Sequence, residues 1–243
     1  MGEWAMKILA MDTSTRRLSV AVTEGETLLG ARYFRPRRDL ALSLASDLER
    51  VLATAGLALK DIDVFVIGLG PGSFTGLRVG LSGVKALALA TGKPVVGLSS
   101  LDAIAMNIRL ACKDLQICVV TDARRNLVYS AVYDRTSAGL VRKGEYRLDS
   151  ISSVLGSVSG QVIFTGDGLT LFRDEILRES ASGRFTPVFA SERCWHPRAV
   201  SLAILGYACL RQGQVFPSAE TLVPLYLYPE DCQVGKEKSR KAG

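Results

Sequence analysis

The stretch MKILAMDTSTRRLSVAVTEGETLLGARYF, residues 6–34, decides how the rest of the chain is read. Met6–Thr13, Leu18–Glu24 and Thr27–Phe34 are short runs rich in apolar and β-branched residues, broken by Thr13-Ser14-Thr15 and by Glu24-Gly25-Glu26. Connections that tight join neighbouring strands only in antiparallel fashion, so the stretch predicts a three-stranded meander. From Leu40 the period changes. Leu40, Leu44, Leu48, Val51, Leu52 and Ala55 share one helical face, with Asp39 placed to cap the start and Gly56 just past the end.

Outward from there, Val64–Leu69 is a continuous apolar run leading into Gly68-Leu-Gly70-Pro-Gly72-Ser-Phe-Thr-Gly76. A helix is predicted over Leu77–Thr91, stopped by Gly92 and Pro94. Pro94–Leu98 reads as a strand, and Ser99 with Asp102 as a capping box opening a helix to about Ala111. Three hairpin-linked strands followed by alternating helices and strands is the ribonuclease-H or actin-like layout, a mixed sheet with helices on its faces. The second half repeats the theme with strands at Leu115–Thr121, Leu127–Asp134, Gly139–Leu148, Gln161–Thr165 and Arg184–Phe189, and helices at Leu169–Glu179 and Pro197–Arg211. The expected class is α/β, a duplicated actin-like, ribonuclease-H-like (ASKHA) fold. Its lobes are expected at 1–112 and 113–243, meeting near Cys112–Asp114. The closing helix 197–211 is free to return to the first lobe, and 235–243 is expected to be a flexible basic tail.

Composition sets the broad class. With 243 residues, 48% hydrophobic and 22% charged, the chain is a globular protein rather than a disordered or fibrous one. Five cysteines with no CxxC pair fit a reducing compartment. The apolar run Ile8–Met11 is too short for a signal peptide, and Ala199–Leu210 falls short of the roughly 20 residues that span a bilayer. A cytoplasmic protein with no membrane association is the expectation. Residues 1–5 read as an upstream start or an appended scar. Of the net charge of +6, much comes from Lys236, Lys238, Arg240 and Lys241 against Glu237. A second cluster comprises Arg32, Arg35, Arg37 and Arg38. Both clusters could touch RNA phosphates, but the plainer reading is a solvated loop and a frayed tail, since no aromatic residues interleave with the tail charges.

Asp12 ends the first strand beside Thr13 and Ser14. A carboxylate there can hold hydrated Mg2+ and orient phosphates, or the three residues can simply close an Asx-type turn. The Gly-rich loop is neither a Walker A loop nor a Rossmann fingerprint. Gly70, Gly72 and Ser73 lead into a helix whose N-terminus suits an anion, or else the glycines serve a sterically tight turn. Asp122 ends the first strand of the second half, where an actin-like ATPase carries a second Asp-x-Gly phosphate loop. Arg124 and Arg125 stand there instead, which argues against ATP hydrolysis by this chain alone. Gly166-Asp167-Gly168 reads as an adenosine-side loop or a plain strand-to-helix turn. The helix over Leu77–Thr91 alternates Gly80, Ser82, Gly83, Ala86 and Ala88 with leucines, which fits an intermolecular face or tight internal packing. His196 is the only histidine, so a zinc hydrolase fails on ligand count. No catalytic residue and no metal ligand set is assigned, and the cysteines read as small buried hydrophobes.

Five segments together resemble the bacterial TsaB family, formerly YeaZ. They are Met6–Thr15, Gly68–Gly80, Lys93–Leu101, Thr121–Arg125 and Pro224–Leu227, in the right order across nearly the whole chain. The resemblance implies an actin-like fold and a role in making threonylcarbamoyladenosine in tRNA. It implies a non-catalytic subunit that pairs with its paralogue TsaD, with the ATPase TsaE joining, and that forms a homodimer when alone. It further implies tRNA contact through the complex, and no cofactor of its own, any ATP or ADP and Mg2+ belonging to the complex. Family members associate through N-terminal-lobe helices, which correspond to Leu44 and Leu48 on the first helix and Leu77, Gly80, Leu81, Gly83, Val84 and Leu87 on the second. Nucleotide or anion contacts, if kept, would fall on Asp12, Thr13, Ser14, Gly70, Gly72, Ser73 and Asp122. Two departures stand out. Arg38-Asp39-Leu40 replaces a His-Ser pair, and Tyr226-Leu227-Tyr228 replaces a terminal Tyr-Leu-Arg. The competing reading is an ATP-dependent phosphotransferase or ATPase of the actin-like superfamily.

Overall fold

The computed structural model describes residues 6–36, 40–108, 115–136 and 139–228. The Asp39 cap, Arg37 and Arg38, the 112–114 boundary, Cys112, Cys232, residues 1–5 and the basic tail lie outside the described residues. Two five-stranded sheets share one topology. In the first, β1 (Lys7–Asp12), β2 (Leu18–Glu24) and β3 (Thr27–Phe34) form the meander, followed by α1 (Leu40–Thr54), β4 (Val64–Gly68), α2 (Phe74–Thr91), β5 (Val95–Leu98) and α3 (Ser100–Met106). β4 pairs parallel to β1 with Ile8 opposite Val64, and the order is β3-β2-β1-β4-β5. In the second, β6 (Gln116–Asp122), β7 (Val128–Thr136) and β8 (Gly139–Asp149) repeat the meander. They precede α4 (Ile151–Leu155), β9 (Gly160–Thr165), α5 (Leu169–Ser180), β10 (Phe185–Phe189) and α6 (Ala199–Arg211), in the order β10-β9-β6-β7-β8.

The near-continuous apolar runs of β1 and β4 follow from burial on both faces. Leu9, Met11, Phe65 and Ile67 face α1 and α2, packing with Leu44, Val51, Leu81 and Val84. Ile8, Ala10, Val64 and Val66 face α6, packing with Ala199, Leu202 and Ala203. Small residues bring α6 close, since a side-chain carbon on Gly206 would press on Val66 at 2.8 Å. The exchange is reciprocal. α3, which follows the first sheet, packs through Leu101, Ile104 and Ala105 onto Ile117, Val119 and Tyr133 of the second. Neither sheet closes its core without a helix from the other half of the chain. Asn107, the C-cap of α3, locks the crossing. Its side chain donates to the carbonyls of Cys194 (3.1 Å) and His196 (2.8 Å) and accepts from Ser201 Oγ (2.8 Å).

Several boundaries differ from the sequence reading for local reasons. α2 begins at Phe74 rather than Leu77, because Ser73 caps it and Gly76 is accommodated in the first turn. α6 begins at Ala199, after Pro197 rather than on it. α4 had no periodic signal in five residues. The Ser99 and Asp102 capping box does not form. Ser99 caps the Leu101 N–H, but Asp102 turns across the halves to accept from the hydroxyls of Tyr133 (2.7 Å) and Tyr146 (2.8 Å). Burial pushes the Asp102 carboxyl above its usual range against those hydrogen bonds.

Candidate functional site

Two corresponding corners are built, one at the end of β1 and one at the end of β6. At the first, Asp12 is fully buried. Its Oδ1 accepts from the backbone N–H (2.9 Å) and hydroxyl (2.6 Å) of Ser14, and its Oδ2 accepts from Ser100 Oγ (2.6 Å). Burial pushes the Asp12 carboxyl above the usual aspartate range, with the Ser100 and Ser14 hydrogen bonds opposing it. Ser100 is a site residue that sequence reasoning missed. The Ser99-Ser100 doublet after β5 was the signal, read only as a helix cap. The Ser100 hydroxyl also accepts from Gly70 N–H (3.1 Å), so it ties Asp12 to the Gly-rich turn.

That turn lies directly on the Asp12 hairpin. Ser73 N–H donates to Ser14 O (2.7 Å), and Thr13 Oγ1 donates to Gly76 O (2.8 Å). A side-chain carbon on Gly72, Gly76 or Gly80 would lie under 3.0 Å from Ser14 or Thr13, and one on Gly68 would overlap the Asp12 carboxylate. The glycines therefore admit neighbouring backbone and side chains. Thr13, Ser14 and Gly70 are buried, Gly72 is half-buried and Ser73 is exposed. The Ser73 hydroxyl is used as the helix cap, accepting from Gly76 N–H (3.3 Å). Between the hairpin and the N-terminus of α2 the chain packs directly against itself.

The second corner is looser. Asp122 is half-buried, and its Oδ1 accepts from Arg124 N–H (2.8 Å), the counterpart of the Asp12–Ser14 bond. Arg124, Arg125 and Asn126 all adopt left-handed backbone conformations, with φ of 68°, 52° and 60°. Such a conformation disfavours a residue bearing a Cβ by roughly 1–2 kcal/mol, less for Asn. In the turn after β9, Gly166 and Gly168 press on Val120, and Asp167 Oδ1 accepts from Asp122 N–H (3.1 Å). Burial raises the Asp167 carboxyl despite that bond and the nearby His196, and the Asp122 charge adds to the rise. Tyr33 on β3 has the guanidinium carbons of Arg17 and Arg198 at 5.4 and 5.7 Å from its ring, with the His196 ring 6.5 Å away. Burial pushes the Tyr33 hydroxyl up to about 12 and lowers His196. None of these four was singled out from sequence as a cluster. Only the pairing of β3 with β2 and the return of α6 to the first sheet bring them together.

The residues expected at a partner face divide by burial. Leu44, Leu77 and Val84 are buried within the chain, and Gly80 lies against Thr13, so these four build the core rather than a surface, while Leu81 is 7% exposed. Leu48, Gly83 and Leu87 are half-buried, and Gly83 meets Leu44 at an ordinary 3.7 Å. What α1 and α2 expose are Leu42 (70%), Phe74 (55%) and Leu89 (85%). In the arginine cluster, Arg32 forms an ion pair with buried Asp47, which also pairs with Arg50, so it belongs to the β3–α1 packing. Cys118 is fully buried and its thiol is pushed up to about 12 by that burial. Cys194 and Cys209 are half-buried. Among the described residues no three His, Cys, Asp or Glu side chains converge on a metal position, and no helix is long and apolar enough to cross a membrane.

The paired sheets define the class, an actin-like protein of duplicated α/β fold. Component A of the Acidaminococcus fermentans (R)-2-hydroxyglutaryl-CoA dehydratase shares that fold at a TM-score of 0.51 over 84% of this chain and 98% of its own, with 9% identity. The family described as TsaD, tRNA N6-adenosine threonylcarbamoyltransferase, matches residues 37–226. The tRNA threonylcarbamoyladenosine biosynthesis protein TsaB of Bacillus subtilis is 30% identical over 97% of this chain and 100% of its own length. TsaB of Escherichia coli is 30% identical over 70% of this chain and 74% of its own. YeaZ from Pseudomonas aeruginosa superposes with a TM-score of 0.74 at 27% identity, covering 91% of this chain and all of that one. The chain belongs to the TsaB (YeaZ) family of tRNA threonylcarbamoyladenosine biosynthesis proteins.

Proposed function

We propose that this chain is a non-catalytic subunit of the tRNA threonylcarbamoyladenosine-modifying complex, docking onto a TsaD-type transferase through the α1–α2 side of its first sheet and meeting tRNA only within that complex. Support comes above all from the Asp12 corner. Its carboxylate is sealed and fully hydrogen-bonded, and the Gly-rich turn is filled by Thr13 and Ser14, so the first phosphate clamp of an actin-like ATPase has no room to act. Exposed Leu42 and Leu89 on the helix pair supply apolar contact area. In this reading the cytoplasmic chain needs no cofactor of its own, TsaE joins through the complex, and the chain self-associates when its partner is absent.

The test combines the purified chain with TsaD, TsaE, tRNA, ATP with Mg2+ and threonylcarbamoyl adenylate as the donor of the transferred group. Threonylcarbamoylation is expected only when this chain and TsaD are both present, and Leu89→Arg is expected to weaken the pair. Modification by the chain unaccompanied, or by TsaD and TsaE equally well without it, overturns the proposal. The phosphotransferase reading draws on half-exposed Asp122 beside Asp167. Calorimetric titration with ATP and Mg2+ separates the two: tight binding lost in Asp122→Ala favours the enzyme, and no heat favours the subunit.

A further inference from the structure

Alongside α2, residues 223–226 run as a strap held by Leu225 N–H donating to Leu69 O (2.8 Å) just after β4. Between helix and strap lies a groove of about 390 Å3, walled by Leu81, Val223, Pro224 and Tyr226 and bearing Arg78 and Lys85. Val223 and Tyr226 are well exposed, as is Phe74 at the groove's end. Both cations are fixed by neutral groups. The Arg78 guanidinium carbon stacks 3.8 Å from the Phe74 ring centroid, and its Nε donates to the Tyr226 hydroxyl (3.3 Å). Lys85 Nζ donates to the carbonyl of Glu220 (2.8 Å). Among the described residues neither cation has a carboxylate within ion-pair distance, and α2 itself contains no acidic residue.

An arginine offers five N–H donors and a lysine three, so each keeps donors to spare. Two anchored cations above an apolar floor are complementary to a carboxylate carried on an apolar segment. Pairing with a second copy about a two-fold axis would set Arg78 and Lys85 of one α2 beside those of the other, with no acid from either helix to offset them. We infer that this groove receives a short segment of the transferase partner in which an Asp or Glu is flanked by apolar side chains. The inference rests on the subunit reading above and adds the chemistry of what is bound.

The test measures the affinity of purified TsaD from the same cell for the full chain by calorimetry, for wild type, for Arg78→Glu with Lys85→Glu, and for Ser82→Glu. Ser82 is exposed on the groove's edge, so Ser82→Glu introduces the competing charge without disturbing the core. Thermal unfolding checks that each variant folds. Both variants are expected to weaken binding by about 30-fold or more, and Arg78→Lys with Lys85→Arg to retain most of it. Folded variants that bind within about three-fold of wild type overturn the groove assignment alone. Charge reversal that dissolves a homodimer yet spares TsaD binding overturns it too, by assigning the groove to a second copy. A wild-type chain that does not bind TsaD at all overturns the subunit reading along with it.

Discussion

The corners at Asp12 and Asp122 are built to one plan: a strand ending in aspartate, a hairpin whose second residue donates to that carboxylate (2.9 and 2.8 Å), and a glycine-bearing turn after the fourth strand, β4 or β9, pressed onto the first hairpin or its strand. They differ in what fills the corner. At the first, Ser100 and three glycines of the Gly-rich segment close over a fully buried carboxylate. At the second, the carboxylate stays half-exposed, and the hairpin holds two arginines and an asparagine in left-handed conformations. One duplicated frame has thus been packed shut on one side and left open but reshaped on the other.

Substitutions can push on each side of this contrast. The largest effect is expected from Gly76→Ala, whose new carbon would collide with Thr13 O inside a packed corner. A loss of about 3 kcal/mol or more is expected in urea unfolding. Next is Asp12→Ala, which strands buried donors on Ser14 and Ser100 and is expected to lose about 2–4 kcal/mol, against about 1 kcal/mol for Asp122→Ala. A retained stability in Asp12→Ala would mean that the first corner is not closed in solution.

Asp12→Asn sharpens the same point through pH. The folded Asp12 carboxyl binds its proton more tightly than the ordinary aspartate value of 3.8 implies, so its contribution to stability is greatest in acid and declines as pH rises through the folded value. The asparagine has no such proton. Its stability relative to wild type is expected to improve between about pH 4 and pH 8, and a flat difference would refute a buried, titrating carboxylate.

Smaller effects probe the backbone. Arg124→Gly relieves one left-handed residue and is expected to stabilise by about 1 kcal/mol. Gly83→Ala, in the middle of α2 where a new methyl would meet Leu44 at an ordinary contact distance of 3.7 Å, is expected to stabilise by about 0.5–1 kcal/mol. Gly76 and Gly83 on one helix would then respond with opposite signs, separating an internal packing role from a merely tolerated small residue.

The meander, the helix at Leu40, the parallel strands and the Gly-rich turn were legible because their signals are local: period, turn residues and caps lie within a few positions of each other. The boundary of α2 was misplaced because Ser73 and Gly76 read as loop residues until the cap is seen. Asp102 was misassigned because a capping box and a cross-lobe acceptor look alike in sequence. Asp12, Thr13 and Ser14 were correctly brought to one place with Gly70, Gly72 and Ser73, but whether that place is a cradle or a seal depends on distances that spacing does not encode.

From its sequence alone this protein is fixed as a duplicated α/β chain of the TsaB family, since strand and helix periods, turn chemistry and motif order are properties of neighbouring residues. Only the tertiary structure decided which glycines face backbone rather than ligand, which leucines of α1 and α2 remain on the surface, and that a strap and a helix far apart in the chain enclose a basic groove. Those outcomes depend on how residues distant in sequence share a limited volume, and close packing assigns that volume only once the whole fold has formed.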